Sequence, residues 1–595
     1  MARGDDMALA VAFGARAATG VPLPVVLVVA AAAGVAVALR PVRRAGVPAS
    51  PLPWPVVLLV ALAAPLPTAV AGTGTVRSDP EPVPGGSVAV VDVGGRRYRA
   101  RLPSTAVGTA AMLAGDQLQL TGRAAPLHGV DPGWQQSQHL AGRLSVTSVR
   151  PGPAPSWWAA AANAVRRRIV AGADGLPEEQ RALYLGLVVG DDRGQPPLLR
   201  HQFRAAGLAH LLAVSGQNVA FVLLACSPVL GRLPLRWRTG GAVLALVVFV
   251  LVARAEASVL RAAAMAGVVV LAVALGRRAR AGRAAAVAVV VLLLADPLLV
   301  RSVGFRLSVA ATTGLVLLAR PIAARLPGPR PFAVAVAVPL AAQVATAPVL
   351  VPLAGGVPAA GVAANLLAVP PAGLVMVLGL TLGPFAGLLR PDLARVLMWP
   401  VSLLVGWVAR VAALAAVVPL PLLDLPRLLV LAAGLAALVL VRHAVAAVPA
   451  RRVLQVVVAA VALLVALWSV TYGPGRHEVA PGSVLVVGEC GGRVLDLTGT
   501  TGRTDRLLDA LARANVHRAD VLVAAPGRTG AAVARDVAAS VRVRQVVVAA
   551  EVAPQGFVAL VGRSLQVGGL VVAAPPARDG PGRTAVTEGP CTVGP

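Results

Sequence analysis

The stretch HLLAVSGQNVAFV at residues 210–222 is a membrane-like apolar run with a polar centre. Its apolar residues are typical of a helix that crosses the roughly 30 Å hydrocarbon core of a bilayer. The tetrapeptide Ser215-Gly216-Gln217-Asn218 interrupts that run, and polar groups at this depth are costly enough to indicate a functional role. The stretch therefore predicts a membrane-embedded fold in which a broken helix borders a polar path.

The composition of the whole chain also indicates a membrane protein. The 595 residues are 57% hydrophobic and 13% charged, with a mean hydropathy of +0.77, whereas soluble domains carry about 25% charged residues. The formal net charge is +28, and arginine supplies every Lys/Arg-type side chain. Two interpretations of this charge remain open: arginine-rich cytoplasmic loops, as the positive-inside rule requires, or a polyanionic partner such as nucleic acid or anionic lipid.

Five zones follow one another along the sequence. Residues 1–71 hold two hydrophobic segments that predict transmembrane helices. Residues 72–150 alternate apolar and polar positions between glycines and prolines, which predicts a small β-barrel of the OB type. Residues 151–180 contain WWAAAANAVRRR, which predicts an amphipathic helix at the membrane surface. Residues 181–472 form the polytopic membrane domain, and residues 473–595 alternate strands and helices in an α/β domain.

The hydropathy pattern predicts a polytopic α-helical membrane protein with about 11 to 13 membrane segments. Within 181–472 the predicted spans are 207–230, 239–253, 258–275, 284–295, 304–319, 331–351, 372–389, 401–418, 425–441 and 453–470. Segment 357–373 contains Pro358, Pro370 and Pro371 and is predicted to be a broken or re-entrant helix. Arginine-rich loops, including 276–283, are assigned to the cytoplasm. That assignment places both polar domains on the outer side of the cytoplasmic membrane.

Polar residues recur in several of the predicted spans. The candidates for a translocation path are His210, Ser215, Gly216, Gln217, Asn218, Arg254, Glu256, Arg261, Arg306, Gln343 and Asn365. One interpretation is hydrogen bonding between helices, which contributes only about 0.6 kcal/mol per bond. The other is a water-filled path for a polyanion, which would also satisfy arginines at membrane depth. A hydrolase built on Ser215 and His210 is disfavoured, because five residues on a helix place them about 140° apart.

A basic strand is expected in the barrel zone. Arg97, Arg99 and Arg101 alternate with Tyr98 in the stretch RRYRARLP, so on a strand the three arginines share one face and Tyr98 points to the other. That face is suited to contact a nucleic-acid backbone. A solvated outer face of the barrel is the equally open alternative.

The three cysteines allow a single disulfide outside the membrane. Cys226 lies in an apolar run and is expected to be a small core residue. Cys490 and Cys591 both lie in the C-terminal zone, where a bond between them is compatible with an extracytoplasmic location. Pairing and two free thiols remain the alternatives. No cysteine spacing of the zinc-site type occurs in the sequence.

Several motifs together resemble the ComEC family of bacterial competence proteins. GLAHLLAVSGQNVAFV is similar to the family's hallmark Gly-Leu-x-His-Leu-Leu-Ala-Val-Ser-Gly. LYLGLVVGDD precedes it, and SVLRAAAMAGVVVLAVALGR, DPLLVRSVGFRLSVAATTGLVLLA and QVATAPVLVPLAGGVPAAGVAANLLAVPPAG follow in the family's order. The resemblance implies a channel that passes single-stranded DNA across the cytoplasmic membrane during natural transformation. The implied partners are single-stranded DNA, the membrane, a DNA receptor protein and a cytoplasmic ATPase, and a homo-oligomer remains open.

The family's usual architecture places an OB-like domain first, a competence domain next and a metallo-β-lactamase-like domain last. This sequence departs from the pattern twice. Asn218 stands where many members have histidine, which removes a titratable group. The His-x-His-x-Asp-His run, which such a nuclease needs after a strand to hold its metals, is missing after ADVLVAA. The C-terminal domain is therefore expected to be degenerate, without metal, cofactor or enzymatic activity.

A second function remains open beside the DNA channel. A transporter of another anionic or lipid-linked substrate could be built on the same membrane fold, since broken helices at mid-membrane are typical of transporters as well. The two flanking polar domains favour the channel, because carriers of small solutes seldom need them. The sequence contains no G-x-x-x-x-G-K-[ST] motif, so the energy for transport must come from another protein or from an ion gradient.

Overall fold

The computed structural model describes residues 69–83, 85–104, 112–127, 132–212, 216–254, 257–274, 281–418, 422–431, 472–500, 503–514, 516–548, 556–559, 564–567, 570–573 and 585–588. The chain divides into two compact units. The first lies within Met1–Gly194, His210–Val349 and Val369–Trp407, and the second within Gln195–Ala209, Leu350–Ala368 and Val408–Pro595. Several predictions fall outside the described residues: both N-terminal spans, span 453–470, most of span 425–441, Ser215, Glu256 and Cys591.

The first unit begins with a closed β-barrel. Its strands are β1 (Ala69–Val76), β2 (Glu81–Val83), β3 (Gly86–Val93), β4 (Arg96–Pro103), β5 (Gln117–Ala125) and β6 (Leu140–Pro151). Five strands close in the order β1-β5-β6-β4-β3, with β3 returning to β1, and β2 is added beside β3. The β4–β6 pair is parallel, whereas the other pairs are antiparallel. This five-stranded barrel is consistent with the predicted OB-like fold.

Strict alternation and a tight hairpin build the barrel. From Tyr98 onward every second residue of β4 is buried, and Tyr98, Ala100 and Leu102 are at most 1% exposed. The two-residue turn between β3 and β4 is Gly94-Gly95, and both residues have positive φ, 58° and 77°. A turn of that kind requires two left-handed residues and matches the twist of the flanking strands. The hairpin therefore fixes the register that directs Arg99 and Arg101 outward.

Helices connect the barrel to the membrane domain. They are α1 (Pro132–Ser137), α2 (Trp157–Gly172) and α3 (Glu178–Val189), with a 3-10 turn at Ala173–Gly175. Helix α2 packs closely against a later helix, because a Cβ on Gly172 would lie 2.2 Å from the carbonyl oxygen of Gly383. The barrel also contacts the membrane domain through His139, whose Nε2 lies 2.8 Å from the Asp296 carboxylate.

The membrane domain is α-helical. Its helices are α4 (Pro197–Ala205), α5 (Ala209–Leu212), α6 (Gly216–Leu230), α7 (Leu235–Val252), α8 (Ala257–Ala274), α9 (Ala281–Ala295), α10 (Val303–Arg325), α11 (Arg330–Ala354), α12 (Gly361–Ala386) and α13 (Pro391–Val417). Five of these, α7 and α10 to α13, are long and apolar enough to cross a membrane, and α6 and α9 contain shorter apolar helices. The prediction of a multi-pass membrane protein is confirmed to that extent within the described residues.

Segment 357–373, predicted as a broken or re-entrant helix, is interrupted only at its start and is helical through the paired prolines. Helix α12 runs without interruption from Gly361 to Ala386 and contains Pro370 and Pro371. Prolines are tolerated inside membrane helices because neighbouring groups satisfy the backbone carbonyls that lose their partners. The interruption lies just before this helix, where the short strand β7 (Val357–Pro358) pairs with β8 (Leu422–Leu423).

The C-terminal part of the second unit is a layered α/β domain. Its elements are β9 (Gly475–Ala480), β10 (Ser483–Val487), β11 (Arg493–Asp496), α14 (Thr504–Arg513), β12 (Arg518–Ala524), α15 (Gly527–Ser540), β13 (Arg542–Val548), β14 (Val558–Ala559), β15 (Ser564–Val567), β16 (Leu570–Ala573) and β17 (Ala585–Glu588). The main sheet has the order β14-β13-β12-β11-β10-β9, parallel from β11 to β14. Helices α14 and α15 cover one face and the β15-β16-β17 sheet covers the other. A β-lactamase-like fold stays a prediction.

Candidate functional site

The outer face of the barrel carries a cross-strand row of arginines. Arg99 and Arg101 are exposed and Arg97 is half-buried, while Tyr98 between them is buried, as the sequence predicts. Arg99 is paired in register with Arg143 of the neighbouring parallel strand. The structure thus extends the predicted basic strand sideways onto β6.

A fourth exposed arginine extends the row onto β5. Ser145 lies in register with Arg101 on one side and with Arg123 on the other, and all three side chains are exposed. The row of arginines therefore comprises Arg99, Arg101, Arg123 and Arg143. Sequence reasoning missed the last two, although each follows a glycine at an outward position of an alternating strand. Which strands become neighbours in the barrel is not contained in that local signal.

A buried cluster of ion pairs lies between the barrel and the helices that follow it. Asp79, after β1, has a completely buried side chain and Arg166 of α2 is 2% exposed. Arg166 Nη1 donates to Asp79 Oδ1 at 3.2 Å, and its Nη2 donates to Oδ2 at 2.6 Å. The backbone N–H of Ala114 adds a third hydrogen bond to Oδ1, 2.8 Å long. This two-pronged geometry is the strongest that an arginine and a carboxylate form.

Two further arginines and a second aspartate complete the ion cluster. Arg254, just beyond the end of α7, has its Nη2 2.8 Å from Asp79 Oδ2. Arg193 Nη2 lies 3.4 Å from the same oxygen, and its Nε and Nη2 donate to Asp191 at 2.8 and 2.5 Å. We call Asp79, Arg166, Asp191, Arg193 and Arg254 the barrel ion cluster. It holds three positive and two negative groups.

The arginines keep the carboxylates of the barrel ion cluster charged. Burial alone raises the pKa of Asp79, but the hydrogen bond from Arg166 and the charge of Arg254 outweigh it, so the pKa lies below the ordinary value. The pKa of Asp191 is likewise lowered, because the hydrogen bond and charge of Arg193 exceed the effect of burial. The two carboxylates therefore stay charged and offset part of the positive charge of the three arginines.

The barrel ion cluster changes the interpretation of two sequence features. Arg254 is predicted as a path residue, and the structure places it against Asp79. The three consecutive arginines of α2 differ in exposure, since Arg166 is buried and Arg167 and Arg168 are exposed. The sequence signal for Arg166 was its spacing of three from the buried residues Asn163 and Ile169. Nothing local identified Asp79 as its partner, because 87 residues separate the two.

The hallmark segment caps an earlier helix. Helix α3 ends at Val189 and is capped by Gly190, whose φ of 71° is left-handed. The N–H groups of Gly190 and Asp191 satisfy two of the last carbonyls. Asn218 Nδ2 donates to a third, the Leu187 carbonyl oxygen, at 3.2 Å. Helix ends leave such carbonyls without intrahelical partners. Asn218 therefore fastens the hallmark to the LYLGLVVGDD stretch through a neutral hydrogen bond.

The other predicted path residues are distributed over several elements of the first unit. Helix α6 begins at Gly216, and Gln217 is half-buried beside Asn218. His210 is exposed in α5, and Arg306 and Gln343 are half-buried in α10 and α11. Arg261 lies in α8. The described contacts do not assemble these residues into one polar group, and their role as path residues stays a prediction.

In the second unit, the beginning of the hallmark packs closely on α12. Gly207 has a φ of 70°, and a Cβ there would lie 3.0 Å from the Cα of Gly361, so both conformation and contact require glycine. The predicted path residue Asn365 donates from Nδ2 to the Gly361 carbonyl at 2.7 Å and to the Gly207 carbonyl at 3.4 Å. Asn365 thus stabilises this close approach.

Helix α4, which precedes the hallmark, is bound by the α/β domain of the same unit. His201 Nδ1 lies 3.0 Å from Asp509 Oδ1, and Arg204 Nε lies 2.9 Å from Asp509 Oδ2. Arg204 Nη2 also contacts Asp505 at 3.2 Å. Leu198 packs against the hydrophobic core beneath α14. We call this contact the α4 clamp.

The structure describes only one of the two cysteines of the predicted disulfide. Cys490 is disulfide-bonded and Cys226 is a free, half-buried thiol, whereas Cys591 lies outside the described residues. The pairing of Cys490 with Cys591 therefore stays a prediction. Among the described residues, no three or more His, Cys, Asp or Glu side chains are grouped as metal ligands.

The membrane domain is similar to known proteins. Residues 187–471 match the model of a family described as competence protein. The ComE operon protein 3 of Bacillus subtilis (strain 168) is 28% identical over 204 residues, which cover 33% of this chain and 26% of that protein. The matched stretch thus spans about a quarter of the relative. No solved structure matches the chain.

Proposed function

We propose that this chain, whose residues 187–471 match the competence protein family, forms a channel for single-stranded DNA. The strand crosses the cytoplasmic membrane during natural transformation. The similarity to the ComE operon protein 3 supports the coarser part of this proposal, a role in competence DNA uptake. The proposed partners are a DNA receptor protein and a cytoplasmic ATPase, with an ion gradient as the alternative source of energy.

The observation that carries this proposal is the row of arginines on the barrel. Arg99, Arg101, Arg123 and Arg143 occupy three adjacent strands, and all four are exposed. OB-type barrels bind oligonucleotides on a strand face, and basic grooves that follow the phosphate backbone bind single strands without sequence preference. The barrel belongs to the same compact unit as most of the membrane helices. The row of arginines is therefore suited to receive a strand before it enters the membrane domain.

Both polar domains are proposed to lie on the outer side of the membrane. The arginine-rich loops 40–44 and 442–452 are assigned to the cytoplasm by the positive-inside rule. Each of these loops is followed by one predicted span and then by a polar domain, so both polar domains are expected outside.

The α/β domain is proposed to act as a brace and not as a nuclease. Helix α15 begins at Gly527, directly after β12, where a metallo-β-lactamase-like nuclease places histidines. Here the turn is filled by close packing, because a Cβ on Gly530 would lie 2.1 Å from the Ala525 carbonyl oxygen. The α4 clamp gives the domain a different role, which is to hold the helix that precedes the hallmark.

The channel function is tested by DNA uptake in a transformable strain that lacks its own copy of the gene. The variant with Arg99→Glu, Arg101→Glu and Arg143→Glu should reduce nuclease-protected cytoplasmic DNA at least tenfold at equal protein level. Arg150→Glu is the matched control, because this exposed arginine of β6 lies about 23 Å from Arg143 along the strand. Normal uptake by the triple variant contradicts the assignment of the row of arginines, and normal uptake without the chain contradicts the channel.

The proposed lack of nuclease activity in the α/β domain is tested separately on the purified full-length chain. With Mn²⁺ or Zn²⁺ and labelled single- and double-stranded DNA, we expect no cleavage above that of a mock purification. Metal-dependent cleavage that is lost on chelation would contradict the assignment of a non-enzymatic domain. The channel proposal would be unaffected by that result.

A further inference from the structure

We propose that a cavity between the barrel and helix α2 binds the phosphate headgroup of an anionic phospholipid. The cavity has a volume of about 380 Å³. It is bordered by the end of β1, the start of β5, the first half of α2 and the end of α7, all in the first unit. This site is distinct from the row of arginines, and the inference does not depend on DNA transport.

The charge of the cavity favours an anion. Arg77, Arg166 and Arg254 line it. The latter two belong to the barrel ion cluster, and Arg77 is paired with Asp92. Arg166 is 2% exposed, and its Nε has no hydrogen-bond partner among the described residues. A phosphate oxygen would supply this Nε with a charged acceptor.

The N-terminus of α2 adds backbone donors to the same cavity. Ser156, Trp158 and Ala159 line it, and Ser156 precedes the helix without a side-chain hydrogen bond that caps it. The first N–H groups of a helix have no intrahelical partners and carry the positive end of the helix dipole. Phosphates bind at such helix ends. Guanidinium groups and helix N–H groups thus border one cavity.

The position of the cavity indicates a ligand that comes from the membrane. Leu251, which lines it, lies in the last turn of α7, a helix long and apolar enough to span the bilayer. Trp157 and Trp158 at the start of α2 are 82% and 45% exposed. Tryptophan concentrates at the boundary between headgroups and water. A phospholipid can therefore place its headgroup in the cavity while its acyl chains remain in the bilayer.

A static ligand fits this cavity better than a moving DNA strand. Arg166 and Asp79 are buried and held by paired hydrogen bonds. A translocated strand must bind and release each phosphate in turn, which requires exposed and weakly held contacts such as those on the outer face of the barrel. The buried and locked arginines favour a lipid that stays bound.

The test is thermal unfolding of the purified full-length chain in detergent with added lipid. Phosphatidylglycerol should raise the Tm more than equimolar phosphatidylcholine. Ala162→Leu fills the cavity without removing a charge, because Ala162 lines it, and should at least halve the rise in Tm caused by phosphatidylglycerol. Ala161→Leu is the matched control, since Ala161 is exposed on the same helix, and it should keep the full rise.

A second pair of variants removes charge instead of space. Arg77→Gln should weaken the response to phosphatidylglycerol, whereas Arg167→Gln, an exposed arginine of α2, should not. An equal response to both lipids overturns the inference, and so does an equal rise with inorganic phosphate alone. If Ala162→Leu instead abolishes binding of a labelled oligothymidine and leaves the lipid response intact, the cavity is a nucleic-acid site and the inference is wrong.

Discussion

The barrel ion cluster and the α4 clamp both connect a polar domain to the segment around the hallmark, but they do so at different depths. In the first, Asp79 and Arg166 are 0% and 2% exposed. In the second, Arg204, which pairs with both Asp505 and Asp509, is 37% exposed. Breaking a buried ion pair leaves a charge without compensation and is costly, whereas an exposed pair is screened by water and salt. The first contact is therefore expected to be rigid and the second adjustable.

The largest effect is expected from Asp79→Asn, which keeps the shape of the side chain but removes its charge. Three arginines then lose a buried counter-charge, and unfolding of the first unit should become easier by about 3–5 kcal/mol. Thermal unfolding and limited proteolysis of the barrel measure this change. Asp92→Asn is the control, because Asp92 pairs with Arg77, which is 48% exposed, and it should cost at most about 1 kcal/mol. Equal losses would show that burial does not distinguish the two carboxylates.

Acid should weaken both contacts, whereas salt should weaken only the α4 clamp. The pKa of Asp79 is lowered below 3.8, since its arginines outweigh burial. The pKa of Asp505 is also lowered, because Arg503 and Arg204 outweigh burial there. A carboxylate with a lowered pKa stabilises the fold above its ordinary pKa and loses that contribution as the pH falls through the lowered value. Proteolysis profiles of each unit at pH 3 to 7, at low and at about 1 M salt, measure both effects.

The apolar part of the α4 clamp should contribute more than its ion pairs. Leu198 is half-buried against the core of the α/β domain, so Leu198→Ala should cost about 1–3 kcal/mol, less than a fully buried leucine. The readout is release of α4, seen as faster cleavage near residues 194–197. Leu199→Ala is a matched control on the same helix. No change in cleavage with Leu198→Ala would mean that polar contacts alone hold α4.

A smaller effect is expected at Asn218, because its contact with α3 is a hydrogen bond between two neutral groups. Asn218→Ala leaves the Leu187 carbonyl without this donor and should cost about 1 kcal/mol. Asn218→His should retain most of the stability, because a neutral imidazole also carries an N–H donor. Thermal unfolding measures both, and DNA uptake should follow the same order. If histidine behaves like alanine, the role of residue 218 is not the cap on α3.

The smallest change concerns the ion pairs of the α4 clamp. Arg204→Asp and Asp509→Arg should each loosen α4 by about 1 kcal/mol or less, since Arg204 is more than one-third exposed. The double variant should restore part of the loss at low salt and none of it at high salt. Cleavage near residues 194–197 is again the measurement. Full additivity of the two single effects would mean that Arg204 and Asp509 do not interact.

Periodicity and hydropathy were enough to predict the barrel, the membrane helices and the outward arginines of β4, because each depends on neighbours in sequence. The partner of Asp79 could not be predicted, since the ion pair joins residues far apart and each looks ordinary alone. The position of the interruption within segment 357–373 could not be predicted either, and it lies before Gly361. Pro370 and Pro371 are local helix breakers, but packing within the membrane domain keeps the helix continuous.

The barrel ion cluster also has a consequence for biogenesis. Asp79 and the rest of the barrel leave the ribosome first, Arg166 follows 87 residues later, and Arg254 follows only after α7. The charge of Asp79 therefore reaches its full set of partners only when that helix has been synthesised and inserted with its end on the same side as the barrel. A membrane helix inserted in the wrong orientation would leave this aspartate without Arg254. The cluster thus makes the final stability of the barrel depend on correct membrane topology.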